Sequence, residues 1–286
     1  MDVAYCLEKP FWQNKERGVN LMKISIFVSL LLIVLVPVFA AAQIDDSLIL
    51  YLSFDEGGGE EALDTSDHGN NGMFKSEPEW VDGKFGKALW FDGVDDYIEV
   101  PDSESLRVDE AVTIMAWLNV ERLGFTGTDY QGVMAKGNTF RSYSLYTHVP
   151  TSGLHFSTSA LVANTFHGST TAGKTIALDE WVHVAAIAET DDTGGSHTYY
   201  INGEPAGNTN FADMKALPGE NDTGPVVIAK TAEASRFLLG AIDEVRIWNR
   251  ALSQGEVISQ MKRGREGIIS VQPQDKLADT WGNIKK

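Results

Sequence analysis

The chain has 286 residues, of which 43% are hydrophobic and 10% aromatic. This content is too high for a disordered chain, and the length suits one large domain or two small ones. The 40 acidic residues outnumber the 23 Lys and Arg and give a net charge of −17. Such an excess repels phosphates and anionic lipids, so we predict no nucleic-acid partner. The single cysteine, Cys6, lies in a targeting segment, which excludes a disulfide framework and a catalytic thiol from the mature protein.

The sequence begins with a targeting leader. After Lys23 an uncharged, mostly apolar run extends from Ile24 to Phe39 and leads into Ala40-Ala41-Ala42, an A-x-A cleavage pattern. The run is short for a membrane span and Pro37 interrupts it, so cleavage is favoured over a retained anchor. We predict a misassigned start or extended n-region over residues 1–21 and a signal peptide over residues 22–42. The product is expected to be secreted or held at the cell envelope, with no membrane insertion after cleavage.

The chain beyond Ser47 consists of short β-branched and aromatic runs separated by Gly, Asn and Asp. This spacing predicts an all-β fold, a sandwich of two antiparallel sheets over residues 43–267. The candidate strands are 48–54, 88–91, 97–100, 112–120, 132–136, 143–148, 153–157, 181–188, 197–201, 226–229 and 241–248. Asp92-Gly93 and Asn202-Gly203 predict two hairpin turns, because Gly accepts the positive φ that these turns need.

One short C-terminal helix is predicted after the last strand. Ser253 and Glu256 have the spacing of a capping box and precede the apolar residues Val257, Ile258 and Met261. Gly264 is a suitable end for the helix. Residues 268–286 are mostly polar, and we interpret them as a C-terminal tail.

Several motifs occur in an order that resembles a known family. They are Leu52-Ser53-Phe54-Asp55-Glu56-Gly57, Gly83-Lys84-Phe85-Gly86-Lys87-Ala88-Leu89, Phe91-Asp92-Gly93, Asp95-Asp96-Tyr97-Ile98-Glu99-Val100, Trp181-Val182-His183-Val184-Ala185, Tyr200-Ile201-Asn202-Gly203 and Gly240-Ala241-Ile242-Asp243-Glu244-Val245-Arg246-Ile247-Trp248. The set resembles a LamG-like jelly-roll domain of the concanavalin A-like lectin/glucanase superfamily, in a secreted protein of bacterial type. The resemblance implies two large antiparallel sheets packed face to face.

Catalytic chemistry is not predicted, although the same superfold contains glycoside hydrolases. A retaining glycosidase needs two carboxylates about 5 Å apart, and the Glu-x-Asp-x-x-Glu signature of the related β-glucanases is absent. Asp243 and Glu244 are adjacent on a strand and are expected to point to opposite faces. His148, His155 and His167 are close in sequence, but their spacing fits neither a helix face nor a zinc finger. We therefore predict no catalytic residues.

An acidic segment, residues 55–70, raises the question of a bound cation. It contains six acidic residues and no basic one, and calcium prefers carboxylate, amide and carbonyl oxygens. Many members of the resembled superfamily bind calcium near the rim of the sandwich. We predict one structural calcium ion with Asp55 and Asp243 as ligands. The alternative is a solvated acidic loop with an Asx-turn at Asp64-Thr65-Ser66.

The segment from Gly124 to His167 matches the family pattern least and is the candidate binding region. It contains Phe125, Tyr130, Phe140, Tyr143, Tyr146 and Phe166 together with Asp129, Gln131, Asn138, Arg141 and Asn164. Aromatic faces with polar neighbours are typical of sugar recognition, and we select Tyr130, Gln131, Asn138, Tyr143 and Tyr146 as ligand-binding residues. The function expected is an exported, non-catalytic module for carbohydrate or glycosylated surface partners, with calcium as a further requirement to test. The alternatives are a structural or adhesive envelope domain that binds protein and, second, a divergent glycoside hydrolase.

Overall fold

The computed structural model describes residues 45–125, 127–137, 141–160, 165–232 and 234–265. The predicted signal peptide, the segment before it and the tail lie outside these residues, so the domain limits stay a prediction. Within the described residues no helix is long and apolar enough to cross a membrane.

The described chain folds into two antiparallel sheets. The strands are β1 (Leu48–Leu52), β2 (Glu61–Ala62), β3 (Gly72–Lys75), β4 (Glu79–Asp82), β5 (Lys87–Asp92), β6 (Tyr97–Val100), β7 (Ala111–Val120), β8 (Tyr130–Lys136), β9 (Tyr143–His148), β10 (Gly153–Ala160), β11 (Thr165–Thr170), β12 (Trp181–Asp191), β13 (Gly194–Ile201), β14 (Glu204–Phe211), β15 (Val226–Ile228) and β16 (Leu239–Trp248). Sheet A has the order β14-β13-β12-β7-β16-β5-β4, with β1 also paired to β16. Sheet B has the order β11-β10-β9-β8-β15-β6-β3-β2. The predicted jelly-roll sandwich is confirmed.

The hydrophobic core lies between the two sheets. Alternate residues of β7 from Val112 to Val120 are buried in it, as two-residue periodicity requires. Sheet B contributes Tyr143 and Leu145 from β9 and Phe156 from β10. Since inner residues alternate with outer ones, the intervening residues of β9 and β10 project away from the core.

The outer face of sheet A is covered by the one α-helix of the described residues, α1 (Gln254–Met261). Ser253 caps the helix, and Glu256 completes the predicted capping box. Val257 packs in a second buried cluster with Tyr51 and Trp248. The Nε1–H of Trp117 donates a hydrogen bond to the carbonyl of Met261 (3.3 Å). The helix therefore closes one outer face of the sandwich.

The two predicted hairpins have different outcomes. At Asn202-Gly203 both residues have positive φ, 52° and 77°, and β13 pairs with β14. The hairpin at Asp92-Gly93 was predicted wrongly, because β5 lies in sheet A and β6 in sheet B. Gly93 does have a positive φ of 76°, so the turn exists but carries the chain from one sheet to the other.

Candidate functional site

The predicted sugar-binding residues lie on β8 and β9, which are neighbours in sheet B. Tyr130 is in register with His148, and Gly132 with Tyr146. Because Tyr143 and Leu145 face the core, Tyr146 and His148 project from the outer face. A β-bulge between Gly132 and Met134 switches the faces of β8, so Tyr130 also projects outward.

The structure separates the predicted residues from one another. Tyr143 is 0% exposed in the core, so its ring offers no surface to a sugar. Gln131 is also buried, and its amide oxygen accepts a hydrogen bond from the Thr147 hydroxyl (3.3 Å). Asn138 lies outside the described residues. Of the four predicted residues that the structure describes, Tyr130 and Tyr146 come together on the outer face.

Five rings form what we call the aromatic face. Its members are Tyr130, Tyr146, His148, His155 and Phe166, which come from β8, β9, β10 and β11. The centroid distances from the Tyr130 ring are 5.0 Å to His148, 5.1 Å to His155 and 5.9 Å to Tyr146. Phe166 lies 6.5 Å from His155 with the two planes 21° apart. The rings thus form a continuous surface across four adjacent strands.

Two glycines make room for this surface. A Cβ on Gly168 would lie 2.9 Å from the Phe166 ring and 3.0 Å from the His155 ring. A Cβ on Gly132 would lie 2.0 Å from the carbonyl carbon of Lys230. The segment after Lys230 therefore crosses β8 at Gly132, whose N–H donates to the carbonyl of Arg236 (3.1 Å).

Exposure varies across the aromatic face. Phe166 is 50% exposed, Tyr130, His148 and His155 are half-buried, and Tyr146 is buried beneath its neighbours. Burial, with smaller effects from the nearby His148 and Arg141, lowers the pKa of His155 to about 4. Burial also lowers the pKa of His148, against the opposing effect of Asp129. Both imidazoles are therefore neutral near pH 7.

The arrangement suits stacking rather than catalysis. The face of an aromatic ring is electron-rich and attracts the weakly positive C–H groups on one side of a sugar ring. Phe166 and Tyr130 supply such faces, while the neutral imidazoles of His148 and His155 supply hydrogen-bonding nitrogens. Nδ1 of His155 is buried without a hydrogen-bond partner in the described part of the chain.

The sequence identified part of this surface. Phe166 is among the candidate aromatic residues of the sequence, whereas the sequence groups His148 and His155 only with His167, as a trio of candidate metal ligands. Their partner in that trio, His167, projects to the other side of β11 and pairs with Asp213 (2.9 Å). The even spacing of Tyr146 and His148 on one strand was the available signal.

The predicted metal ligands Asp55 and Asp243 meet at one turn, Gly83–Lys87. Asp55 accepts a hydrogen bond from the N–H of Lys87 (3.0 Å), and Asp243 accepts one from the N–H of Phe85 (3.0 Å). Gly86 and Gly83 allow this approach, since a Cβ would lie 1.9 Å from a carboxylate oxygen of Asp55 and 2.7 Å from one of Asp243. Both carboxylates therefore lie against the same turn.

The surroundings of Asp243 fit a hard cation. Burial, with smaller effects from the charges of Glu244 and Asp55, raises the pKa of Asp243 to about 8. Its Oδ1 is buried without a hydrogen-bond partner among the described residues, as are Oγ of Ser53 and Oε2 of Glu56. Buried oxygens without donors are unfavourable unless a cation or water binds them.

The acidic segment also contains ordinary turn chemistry. Asp64 accepts hydrogen bonds from the backbone N–H groups of Tyr51, Ser66 and Asn70, at 2.8, 2.9 and 2.7 Å. The bond from Ser66 is that of the predicted Asx-turn. Asp64 therefore organises the loop through backbone amides and is a poor candidate for a metal ligand.

A second acidic cluster lies at the connection between β5 and β6. Carboxylate oxygens of Asp92, Asp95 and Asp96 lie within 4.8 Å of one another, beside a pocket of about 470 Å³ that Trp90 helps to line. Asp92 accepts hydrogen bonds from the N–H groups of Val94, Asp95 and Asp96 at 2.8, 3.2 and 3.4 Å. Asp96 accepts bonds from Glu77 and Asp92. The carboxylates of Asp92 and Asp96 therefore hold the turn through backbone N–H groups.

The expectation that Asp243 and Glu244 point to opposite faces was wrong. A β-bulge follows Asp243, and Glu244 has a positive φ of 57°. Glu244 consequently accepts a hydrogen bond from the Tyr51 hydroxyl (2.8 Å) and pairs with Arg246. Arg246 is in register with Met115 and Asp243 with Trp117, so both acids lie on the outer side of sheet A. Both acids are fully buried, so a substrate has no access to them.

Comparison with solved structures shows a shared fold. The binding domain of Paraclostridial mosquitocidal protein 1 is 19% identical with a TM-score of 0.59, over 76% of this chain and 52% of that one. Domain 4 of AbnA, a GH43 extracellular arabinanase from Geobacillus stearothermophilus solved in complex with arabinotriose, is 19% identical with a TM-score of 0.57, over 75% and 98%. The binding domain of botulinum neurotoxin serotype G is 14% identical with a TM-score of 0.57, over 74% and 50%.

The chain spans about half the length of the two toxin fragments and nearly all of the arabinanase domain. At these identities the similarity shows the fold alone. No curated protein matches the sequence. A laminin G family model matches residues 92–258, more than half of the chain. This chain therefore belongs to the concanavalin A-like lectin/glucanases superfamily.

Proposed function

We propose that this protein is an exported, non-catalytic recognition module that binds carbohydrate, either as a free glycan or on a glycoprotein at a cell surface. The observation that carries the proposal is the aromatic face, five rings on the outer face of sheet B with Phe166 50% exposed. α1 covers part of the outer face of sheet A, whereas Phe166 on the outer face of sheet B is exposed and Tyr130, His148 and His155 are partly exposed. A rigid, partly exposed aromatic surface is typical of binding sites.

The comparisons support this proposal at the level of the fold. The arabinanase domain was solved in complex with arabinotriose, so a domain of this shape can bind an oligosaccharide. The toxin fragments are described as binding domains, which also favours recognition over catalysis. The second candidate, an adhesive domain that binds protein, is favoured only by the likeness to the toxin binding domains. A glycosidase is less well supported, because the carboxylates that we find close together hold a turn.

A structural calcium ion is part of the proposal. Asp55 and Asp243 would hold it against the Gly83–Lys87 turn, and the unpartnered Oδ1 of Asp243 supports that assignment. Bound there, calcium would neutralise carboxylates that burial brings close together. The role of this ion would be to stabilise the fold and not to contact the ligand, because the aromatic face lies on sheet B and Asp243 on sheet A.

Export is proposed from the leader sequence. Protein purified from the culture medium or envelope should begin at Gln43, as measured by N-terminal mass spectrometry. An intact Met22 start in membranes would indicate a retained anchor instead.

A glycan array tests carbohydrate binding most directly. The mature domain should bind at least one glycan, and Tyr130→Ala or Phe166→Ala should weaken that binding about threefold to tenfold, since one aromatic contact contributes about 0.5–1.5 kcal/mol. Phe125→Ala is the matched control, because Phe125 is 39% exposed but lies outside the aromatic face. A blank array together with a captured protein partner would favour the adhesive alternative. Release of reducing sugar from a polysaccharide would favour the glycosidase.

A further inference from the structure

The outer face of sheet B carries cations on a strongly acidic protein. The chain has a net charge of −17, yet Arg141 lies over the Phe166 ring at 4.8 Å and Arg236 over the Tyr130 ring at 5.7 Å. Lys230 lies over the Tyr97 ring at 4.3 Å. These cations line the aromatic face and the strands next to it.

Arg236 is held in this position by backbone contacts. Its carbonyl accepts hydrogen bonds from the N–H groups of Gly132 (3.1 Å) and Thr231 (3.3 Å). Lys230 forms a β-bridge with Phe237, which closes the loop that contains Arg236. Because the loop crosses β8 where Gly132 lacks a side chain, its backbone places Arg236 beside Tyr130.

The ion pairing of Arg236 and Lys230 matters for this surface, because a cation that is already paired with a carboxylate attracts an anionic ligand less strongly. Glu99, on the outer side of β6, already pairs with Lys75 (3.2 Å). Asp129 is exposed at the start of β8. Within the described residues no carboxylate forms an ion pair with Arg236 or Lys230.

We propose that the ligand of the aromatic face is an acidic saccharide whose sugar units carry carboxylates. One uronic acid unit would stack on Tyr130 while its carboxylate binds the guanidinium of Arg236, which matches the planar carboxylate in shape. This inference rests on the proposed function, because it assumes that a sugar occupies the aromatic face.

The test compares two soluble oligosaccharides that differ only in charge. They are tetragalacturonate and the same oligosaccharide with its carboxylates methyl-esterified, each titrated into the mature domain by calorimetry without added calcium. We expect the acid to bind at least tenfold more tightly than the ester, since hydrogen bonds between charged groups contribute about 1.5–3 kcal/mol and about 1.4 kcal/mol is tenfold in affinity. Arg236→Gln should remove most of this preference. The matched control is Arg122→Gln, because Arg122 is exposed and lies outside the face.

The other outcomes separate this inference from the proposed function. If the acid and the ester bind equally tightly and Tyr130→Ala weakens the binding of both, the acidic ligand is overturned and a module for neutral sugars remains. Binding of the acid that neither Tyr130→Ala nor Arg236→Gln weakens would overturn it as well, since the ligand would lie elsewhere. Equally tight binding of hexaglutamate would overturn the saccharide and indicate an acidic peptide. No binding of the acid overturns the inference, and the glycan array then decides whether the proposed function stands.

Discussion

Tyr130 on β8 and His148 on β9 stack across the strand pair, with ring centroids 5.0 Å apart and planes 29° apart. They are register partners, so the ladder between the two strands holds the rings in place. A site built on paired strands loses less conformational entropy on binding than one built on loops. The aromatic face is therefore prepared for its ligand before binding.

The position of Phe166 depends on the absence of a side chain at Gly168. Gly168→Ala would place a Cβ 2.9 Å from the Phe166 ring and 3.0 Å from the His155 ring, so one ring must move. We expect glycan affinity to fall several-fold, while the melting temperature changes little because β11 is an edge strand. Calorimetric titration and thermal unfolding measure the two effects. The control is Gly255→Ala, which meets nothing within 4 Å. Unchanged affinity in Gly168→Ala would mean that the ligand does not touch the Phe166 ring.

Tyr143 should affect stability and leave binding unchanged. Its hydroxyl is buried without a hydrogen-bond partner among the described residues, so Tyr143→Phe removes an unsatisfied polar group. We expect Tyr143→Phe to be neutral or slightly stabilising and Tyr143→Ala to cost about 3–5 kcal/mol, as core aromatic truncations do. Urea unfolding measures both. Loss of glycan binding in folded Tyr143→Phe would contradict the placement of this ring in the core.

The sequence predicted the inner strands well and the edges poorly. Inner strands such as β7 alternate apolar residues that face the core, and this pattern is visible without a structure. The edge strands β11 and β14 consist of Thr165–Thr170 and Glu204–Phe211, which are rich in Gly, Thr and Asn. An edge strand buries less apolar surface, so its pattern is weaker and both were missed.

The candidate site was predicted only in part because side-chain direction depends on bulges. Tyr143 and Tyr146 are odd and even positions of one strand, so at most one of them can face a ligand, and the sequence does not say which. The bulge at Gly132 then brings Tyr130 to the same face as Tyr146. Arg236 comes from a loop that is remote in sequence, and no local pattern connects it with β8.

Stability should fall as the solution is acidified, in part because of His197. Its ring nitrogens lie 3.0 Å from the hydroxyls of Thr158 and Ser169, and Phe211 packs against it. Burial lowers its pKa to about 3, with smaller effects from His167 and His155. The unfolded state, with a histidine pKa near 6.5, therefore binds more protons than the folded state between about pH 6.5 and pH 3. Stability is lost as the pH falls through this window.

The loss attributable to His197 is about 2 kcal/mol between pH 7 and pH 5, a range above the titration of most carboxylates. Urea unfolding of the wild type and of His197→Asn at both pH values isolates this contribution from other titrating groups. The stability of His197→Asn should change by about 2 kcal/mol less than that of the wild type. An equal change in both proteins would mean that His197 is protonated in the folded state near pH 5.

Calcium should stabilise the fold through Asp243. A ligand that binds only the folded state adds about 2.7 kcal/mol at a hundredfold excess over its Kd, so the melting temperature should fall with EDTA and recover with calcium. Asp243→Asn replaces the carboxylate whose Oδ1 lacks a hydrogen-bond partner in the described chain. We expect this substitution to abolish the calcium-dependent shift in melting temperature.

Asp95→Asn is the control, because Asp95 belongs to the other acidic cluster and is exposed. A shift lost in Asp95→Asn and retained in Asp243→Asn would move the ion to the β5–β6 turn. No response to EDTA in the wild type, after dialysis against calcium, would mean that the buried oxygens near Asp55 are satisfied by protons and water instead.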